Sequence, residues 1–162
     1  MEQQNPVEHY QSNKKMKANT NSAQVNVKCL PSSTKYSVEI CNNIRGKTIK
    51  RAYRIISDVV NMKRAIPIRR FNFDLGHKPG LGAASYPVKA SGYFLELLDS
   101  IKLNAESKGL NSDNLVITFA KADRGRARYR GGRKGRQKAK NTHVHLIVEE
   151  KITKENTKKE KK

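Results

Sequence analysis

The sequence has no tryptophan, only two cysteines and no long apolar run. Two cysteines, Cys29 and Cys41, cannot form a disulfide framework, which favours a reducing intracellular compartment. No apolar run approaches the roughly 20 residues that a membrane-spanning helix needs, so we expect no membrane span. Residues 1–6 contain no apolar stretch, so we also expect no secretory signal.

Acidic residues are scarce as well. The 162 residues include 34 Lys and Arg but only 14 Asp and Glu, which gives a formal net charge of +20. Self-repulsion on that scale destabilises a compact monomer unless a polyanion neutralises it. Nucleic acid is therefore the first candidate partner, and an anionic membrane surface is the second.

The positive charge is concentrated in residues 121–140. This stretch contains ten Lys and Arg against one Asp, so it carries +9 of the total of +20. Four glycines and one aromatic residue, Tyr129, are interspersed among the cations. By composition alone, the stretch fits a disordered basic linker as well as an ordered element that binds a polyanion.

Three segments have the signals of helices, at about residues 34–43, 48–62 and 87–108. Gly46 suits the end of the first helix, and Pro87 suits the first turn of the third. In the second, apolar residues at helical spacing predict the buried face: Ile49, Ala52, Tyr53, Ile56, Val59 and Val60. The basic residues beside that face fit a solvated surface or, as the net charge favours, a phosphate-facing ridge: Lys47, Lys50, Arg51 and Arg54.

Three other segments read as strands. Val25, Val27 and Cys29 alternate with polar residues and predict a short first strand. Apolar runs at 115–122 and 141–149 bracket the basic stretch, which predicts an antiparallel pair with an elongated hairpin arm over residues 115–148. The arm could reach roughly 50 Å. Because its tip has no apolar pattern and repels itself, we expect the tip to be ordered only within something negatively charged.

Residues 64–86 lack hydrophobic periodicity and contain several glycines and prolines, which predicts a long connecting loop. Basic and aromatic side chains are mixed within it, a combination that suits RNA because phosphates are neutralised while unpaired bases stack. The side chains concerned are Arg64, Arg69, Arg70, Phe71, Phe73, His77 and Lys78.

No constellation of residues indicates catalysis. Gly46-Lys47-Thr48 copies the end of a phosphate-binding loop, but Cys41 replaces the required earlier glycine and a predicted helix precedes the segment. The two cysteines and the histidines His143 and His145 lack the paired spacing of a zinc site. The acidic residues are few and scattered. We therefore expect no enzyme activity, no metal and no cofactor.

The order and spacing of four segments resemble one ribosomal protein family. They are Ile44-Arg45-Gly46-Lys47 between two helices, Ile66-Pro67-Ile68-Arg69-Arg70-Phe71-Asn72, Asn104-Ala105-Glu106 near the end of the long helix, and Thr142-His143-Val144 after the basic stretch. The family is the universal large-subunit protein called twenty-two in bacteria and seventeen in eukaryotes. The resemblance covers about residues 24–150 and is closest to the eukaryotic version over residues 87–117.

The resemblance implies an α+β fold, with three helices packed on a small antiparallel three-stranded sheet and a long protruding β-hairpin. It also implies binding to large-subunit ribosomal RNA and to neighbouring ribosomal proteins, with the hairpin tip helping to line the exit tunnel of the nascent polypeptide. By position, the resemblance implies that these arm residues should hold RNA: Arg124, Arg126, Arg128, Tyr129, Arg130, Arg133, Lys134 and Arg136. It implies that Arg126, Arg128, Tyr129 and Arg130 should border the tunnel, and that Arg45, Lys47, Arg69 and Arg70 should bind RNA from the body.

Charge adds Lys50, Arg51, Arg54, Lys78, Lys138 and Lys140 to the expected RNA-binding set. We expect a polar N-terminal extension at 1–23, one RNA-binding domain at 24–150 and a Lys-rich disordered tail at 151–162. The expected location is the cytoplasmic ribosome, with assembly in the nucleolus. Two alternatives stay open: a free-standing basic RNA or DNA chaperone, and a nucleotide-using enzyme, against which the incomplete Gly46-Lys47-Thr48 motif argues.

Overall fold

A computed structural model describes residues 21–151 of the chain. Residues 1–20 and 152–162, and with them most of the expected N-terminal extension and C-terminal tail, lie outside the described part. In chain order the elements are β1 (Ser22–Leu30), α1 (Thr34–Ile44), α2 (Ile49–Val60), β2 (Ile66–Pro67), β3 (His77–Lys78), β4 (Gly82–Ser85), α3 (Val88–Ser107), β5 (Leu115–Arg124), β6 (Arg128–Tyr129), β7 (Lys138–Ala139) and β8 (Thr142–Glu150).

The main sheet has three antiparallel strands in the order β1-β8-β5. Along the central strand β8, Val144, Leu146 and Val148 are buried, and the residues between them are half-buried on the other face. This alternation is the period of two that places successive side chains on opposite faces of a sheet. The α+β class with a three-stranded antiparallel sheet is therefore confirmed. The first strand begins at Ser22, ahead of the expected boundary at 24.

The three predicted helices are also confirmed, and they cover the buried face of the sheet. α1 packs on β5, and α3 packs on β1 and on α2. Phe94 and Ile101 of α3 and Ile56 of α2 are fully buried in the shared core. The predicted face of α2 was wrong at one edge, because Tyr53 is 41% exposed whereas Ile55 is only 4% exposed.

The link between α1 and α2 pairs with the edge of the main sheet. Gly46 adopts a φ of +75°, a conformation that glycine reaches without the steric cost of a Cβ atom. Its N–H donates to the carbonyl of Ile117 at 2.8 Å, and the N–H of Ile117 donates to the carbonyl of Lys47 at 3.0 Å. The Thr48 side chain caps α2 by accepting from the N–H of Arg51. Gly46-Lys47-Thr48 thus forms a structural link, with the Gly46 amide already engaged by the sheet.

The sequence predicted a long connecting loop at residues 64–86, but this segment is not a plain loop. It contains a small antiparallel sheet with the strand order β2-β4-β3. Ile66 pairs with Ser85, and His77 pairs with Ala83. Ile66 and Ala84 are buried, so the small sheet is fixed to the body of the domain.

Candidate nucleic-acid interface

The basic stretch forms a hairpin that continues the pairing of β5 and β8. The last pair of the main sheet is Arg124 with Thr142. Further out, Arg128 pairs with Ala139, and the N–H of Arg130 donates to the carbonyl of Gln137 at 2.9 Å. A short 3₁₀ turn at Gly132–Lys134 closes the end. From here on, the arm means residues 124–140, the part of the predicted hairpin at 115–148 that extends from the end of the main sheet. The backbone pairs of Arg128 with Ala139 and of Tyr129 with Lys138, together with the bond from Arg130 to Gln137, distinguish the arm from a disordered linker.

The arm is anchored at its base by Asn141, which is only 9% exposed. The Asn141 side-chain nitrogen donates to the backbone carbonyl of Arg126 at 2.8 Å. The backbone carbonyl of Asn141 accepts from the N–H of Gly125 at 2.9 Å. Gly125 bonds to Asn141 on one side, and Arg128 pairs with Ala139 on the other. Between these two pairs, residues 126 and 127 face the single residue 140. This is a one-residue bulge, a feature that bends a strand pair and increases its twist. The direction of the arm is therefore set where it leaves the sheet.

The cations of the arm are exposed, and those of residues 124–140 form no ion pair within the described part of the chain. Just before the arm, Lys121 pairs with Asp123 at 3.0 Å. The unpaired cations of the arm are Arg124, Arg126, Arg128, Arg130, Arg133, Lys134, Arg136, Lys138 and Lys140. So many unpaired charges on one narrow hairpin attract a polyanion and repel one another in its absence.

Tyr129 is the aromatic residue of the arm and is 65% exposed. Its cross-strand partner is Lys138, whose Nζ lies 5.0 Å from the centre of the Tyr129 ring. Because side chains alternate along a strand, Arg128 and Arg130 occupy the opposite face. The arm therefore presents a ring that can stack on a base on one side and guanidinium groups that can hold phosphates on the other.

On the body, some predicted RNA-binding cations already have partners within the chain. The Arg45 guanidinium donates to the Ala120 carbonyl at 2.6 Å. Lys50 forms an exposed ion pair with Asp113 at 2.7 Å; the hydrogen bond and charge of Lys50 hold the pKa of that carboxyl below its usual value. Arg45 thus joins α1 to β5, and part of its hydrogen-bonding capacity is spent inside the protein.

Three further body cations, Arg51, Arg54 and Lys78, form no ion pair within residues 21–151. Arg51 and Arg54 are exposed on α2, opposite its buried residues, and neither forms an ion pair among the residues described. Lys78 lies on β3 with its Nζ 5.4 Å from the centre of the Tyr86 ring. The ridge that the sequence suggested on α2 therefore consists mainly of Arg51 and Arg54.

The segment after β2 exposes both aromatic and basic side chains. Arg69 and Arg70 are exposed, and Phe73 is 89% exposed. Phe71 has the ammonium of Lys35 from α1 at 5.2 Å from its ring centre. Aromatic rings exposed to water are energetically unfavourable, but exposed rings can stack on RNA bases while nearby cations hold the phosphates.

Glu39 is a site residue that the sequence analysis missed. It lies on α1 with only 2% exposure, and its Oε1 accepts from the backbone N–H of Arg70 at 2.9 Å. A cavity of about 250 Å³ opens beside it, lined by Glu39, Asn42, Asn43, Lys47, Pro67 and Arg69. The fold thereby brings Lys47 and Arg69 to one site. The contact joins residues 31 apart in the chain, and no local pattern signals it.

Lys47 is held at the rim of this cavity. Its Nζ donates to the backbone carbonyl of Asn43 and, at 3.1 Å, to the side-chain oxygen of the same residue. Partial burial and the neighbouring Arg51 and Arg64 guanidinium groups lower the pKa of the Lys47 ammonium. The ammonium is thus fixed in place rather than swinging freely in solvent.

The cysteines and histidines that the sequence offered as metal ligands do not come together as a metal site in the described residues. Within residues 21–151, no set of three or more His, Cys, Asp and Glu side chains is arranged to hold a metal ion. Cys41 is buried, which raises the pKa of its thiol to about 12, whereas Cys29 is exposed. His143 accepts from the backbone N–H of Cys29 at 3.1 Å. Across the described part of the chain, every helix is too short or too polar to cross a membrane.

A folded body with a paired, strongly basic hairpin is typical of proteins that bind a polyanion through a fixed geometry. Comparison with known families shows which family of such proteins the chain belongs to. The family model described as ribosomal protein L22p/L17e matches residues 25–149. The chain belongs to this family, so the resemblance drawn from the sequence is confirmed.

The similar curated proteins include archaeal ones that carry the name large ribosomal subunit protein uL22. The protein of Archaeoglobus fulgidus is 48% identical over 100 residues, which cover 60% of this chain and 64% of that protein. The protein of Thermoplasma acidophilum is 42% identical over 111 residues, covering 68% of this chain and 74% of that protein. The protein of Cenarchaeum symbiosum is 40% identical over 125 residues, covering 73% and 82%. For the Archaeoglobus protein, the match thus spans just under two thirds of its length.

Proposed function

We propose that this chain is a structural constituent of the large ribosomal subunit and performs no catalysis. It binds large-subunit ribosomal RNA and contributes to subunit assembly and translation. The observation that carries the proposal is the arm, a hairpin whose exposed cations form no ion pair in the described part of the chain. Phosphates of folded RNA neutralise such an element, and the counterions that they release favour binding.

The RNA-binding surface that we propose has two parts. The arm contributes its cations from Arg124 to Lys140 together with Tyr129, and the body contributes Arg51, Arg54, Arg69, Arg70 and Lys78. Arg45, Lys47 and Lys50 also belong to the predicted RNA-binding set, but their side chains are engaged within the protein. Their contribution to RNA binding is therefore smaller. Neighbouring large-subunit proteins are the second class of partner.

A finer part of the proposal concerns the nascent polypeptide. Arg126 lies at the base of the arm, whereas Arg128, Tyr129 and Arg130 lie further out. All four would border the path of the emerging chain. We place the protein in cytoplasmic ribosomes, with assembly into the subunit in the nucleolus. A photo-crosslinking phenylalanine analogue in place of Tyr129 should crosslink to a stalled nascent chain. The same analogue at Tyr53, which is exposed on the body, is the control and should not.

Sedimentation tests the main proposal. Ribosomes from the source cells are separated on sucrose gradients before and after a high-salt wash, and the chain is followed by immunoblot. A structural constituent stays with the large subunit, because many phosphate contacts and an enclosed arm dissociate slowly. A free-standing RNA chaperone binds through screened contacts alone and is stripped at moderate salt. The paired backbone of the arm favours the first outcome, since a chaperone has no need of a fixed hairpin.

A further inference from the structure

The cavity beside Glu39 has a polar wall and a small volume. It measures about 250 Å³, which is below the roughly 300 Å³ at which pockets for drug-sized ligands begin. A single planar ring system fits a space of this size. The lining combines one buried carboxylate, two amide side chains, two cations and one proline ring.

The Glu39 carboxylate is incompletely satisfied. Oε1 accepts from the N–H of Arg70 at 2.9 Å, while no Lys, Arg or His among residues 21–151 forms an ion pair with Glu39. The second oxygen accepts no hydrogen bond from the described chain, yet it is not among the buried side-chain atoms left without a partner, so it retains access to solvent and can accept from further donors. Because Glu39 lines the cavity, a molecule seated there can supply those donors.

We propose that this cavity binds the Watson–Crick edge of a single unpaired guanine in ribosomal RNA, with Glu39 as the acceptor. The inference rests on the proposed function and names the nucleotide that the body recognises. An ionised carboxylate only accepts hydrogen bonds. Guanine presents two adjacent donors, N1–H and N2–H. Adenine and cytosine each place an acceptor nitrogen beside their single amino group, and uracil flanks its N–H with two carbonyls.

The rim of the cavity suits the backbone of such a nucleotide. Arg69 is exposed, and the ammonium of Lys47 is held at the edge by Asn43. Both are placed to neutralise the phosphates on either side of a base that enters the cavity. The nearby Phe71 ring is 40% exposed and offers a stacking surface for the next base. RNA is read in this way at loops and bulges, where unstacked bases expose their edges.

Glu39→Gln tests the proposal with little disturbance of the fold. The Gln side chain has one oxygen, which can still accept from the Arg70 N–H, and an amino group that opposes the guanine donors. Ribosomes are prepared from cells in which the chain is replaced by wild type, by Glu39→Gln or by Glu106→Gln. Glu106 is the matched control, because it loses the same charge on α3 from an exposed pair with Lys102. Kethoxal, which reacts with N1 and N2 of unpaired guanine, then probes the large-subunit RNA.

One guanine, protected in wild-type and Glu106→Gln ribosomes, should become about tenfold more reactive in Glu39→Gln ribosomes, as expected for lost hydrogen bonds to a charged group. An unchanged guanine pattern, with the variant present in the subunit, overturns the proposal while leaving the proposed function intact. If Glu39→Gln does not enter the subunit, the same probing of the full chain bound to deproteinised large-subunit RNA decides by the same outcomes. Absence of the wild-type chain from the subunit would instead overturn the proposed function.

Discussion

The Nε2 atom of His143 lies against the face of Gly125, so that a Cβ atom at position 125 would be only 3.1 Å from it. The same Cβ atom would be 3.1 Å from Cβ of Asn141. His143 lies in β8 and Asn141 directly precedes that strand, where the chain returns from the arm to the sheet. Gly125 is thus required for close packing at the point where the arm begins, and its φ is not positive.

Replacing Gly125 with Ala should therefore disturb the base of the arm. We expect the substitution to lower the free energy of unfolding by about 1 kcal/mol, which corresponds to a melting temperature lower by a few degrees. It should also increase protease cleavage within the arm. Gly131→Ala is the control, because no atom lies within 4 Å of a Cβ built there. Equal melting temperatures for the two variants would contradict the packing argument.

Removing charge from the arm should affect assembly more than folding. The combined substitution of Arg126, Arg128 and Arg130 by Ala takes away exposed cations that make no ion pair in the described chain. We expect a melting temperature within a few degrees of wild type and a clear loss of the chain from large subunits, measured by quantitative mass spectrometry.

The control for that variant replaces Lys28, Lys63 and Lys89 with Ala. These body lysines are exposed and lie outside the proposed RNA surface. Because each variant loses three positive charges, the change in net charge is the same. Their loss should leave incorporation near the wild-type level. Equal incorporation of the arm variant and this control would show that net charge, rather than the position of the arm, determines assembly.

Two arginines that the sequence treats alike should behave differently. Arg45→Ala removes the hydrogen bond to the Ala120 carbonyl and should cost about 1 kcal/mol of unfolding free energy. Arg51→Ala removes an exposed side chain of α2 and should leave stability unchanged while weakening RNA binding. Urea denaturation and filter binding to large-subunit RNA measure the two effects. A loss of stability in Arg51→Ala and none in Arg45→Ala would reverse the assignment.

Alkaline pH should destabilise the protein partly through Cys41. Burial raises the pKa of its thiol from 9.0 to about 12, so the folded protein holds this proton more tightly than the unfolded chain. The resulting stabilisation is complete below pH 9.0 and is lost as the pH rises towards 12. The slope in that window is at most about 1.4 kcal/mol per pH unit.

Cys41→Ala isolates this contribution. The variant should be less stable than wild type at neutral pH because it loses buried volume, but its stability should fall less steeply above pH 9.0. Denaturation at a series of pH values measures both slopes. Identical slopes for wild type and Cys41→Ala above pH 9.0 would mean that the Cys41 thiol does not contribute to the pH dependence of stability. The exposed Cys29 should react with a thiol reagent in the native state, whereas Cys41 should react only after unfolding.

The helices and the main sheet could be predicted because their signals are local. The spacing from Ile49 to Val59 defines a helical face, and the alternation from Thr142 to Val148 defines a half-buried strand. The helical pattern does not decide which edge of α2 is covered, since Tyr53 and Ile55 flank the same central stripe. Packing of neighbouring elements makes that choice and buries Ile55.

The parts that escaped prediction depend on distant contacts. The strands of the small sheet are only two to four residues long and have no period that a sequence could display. Glu39 reads as an ordinary helical carboxylate until the backbone of Arg70 is brought to it. Conversely, the cations of the arm can be recognised as a group from the sequence, because their density is a property of the sequence itself. Their role in binding stays a prediction.

A cryo-EM map of the ribosome from the source cells tests the central claim most directly. It should show residues 124–140 as a continuous hairpin enclosed by ribosomal RNA, with phosphates beside Arg126, Arg128 and Arg130 and with Tyr129 near the path of the nascent chain. A hairpin lying on the solvent face of the subunit, away from RNA and from the emerging polypeptide, would contradict the account.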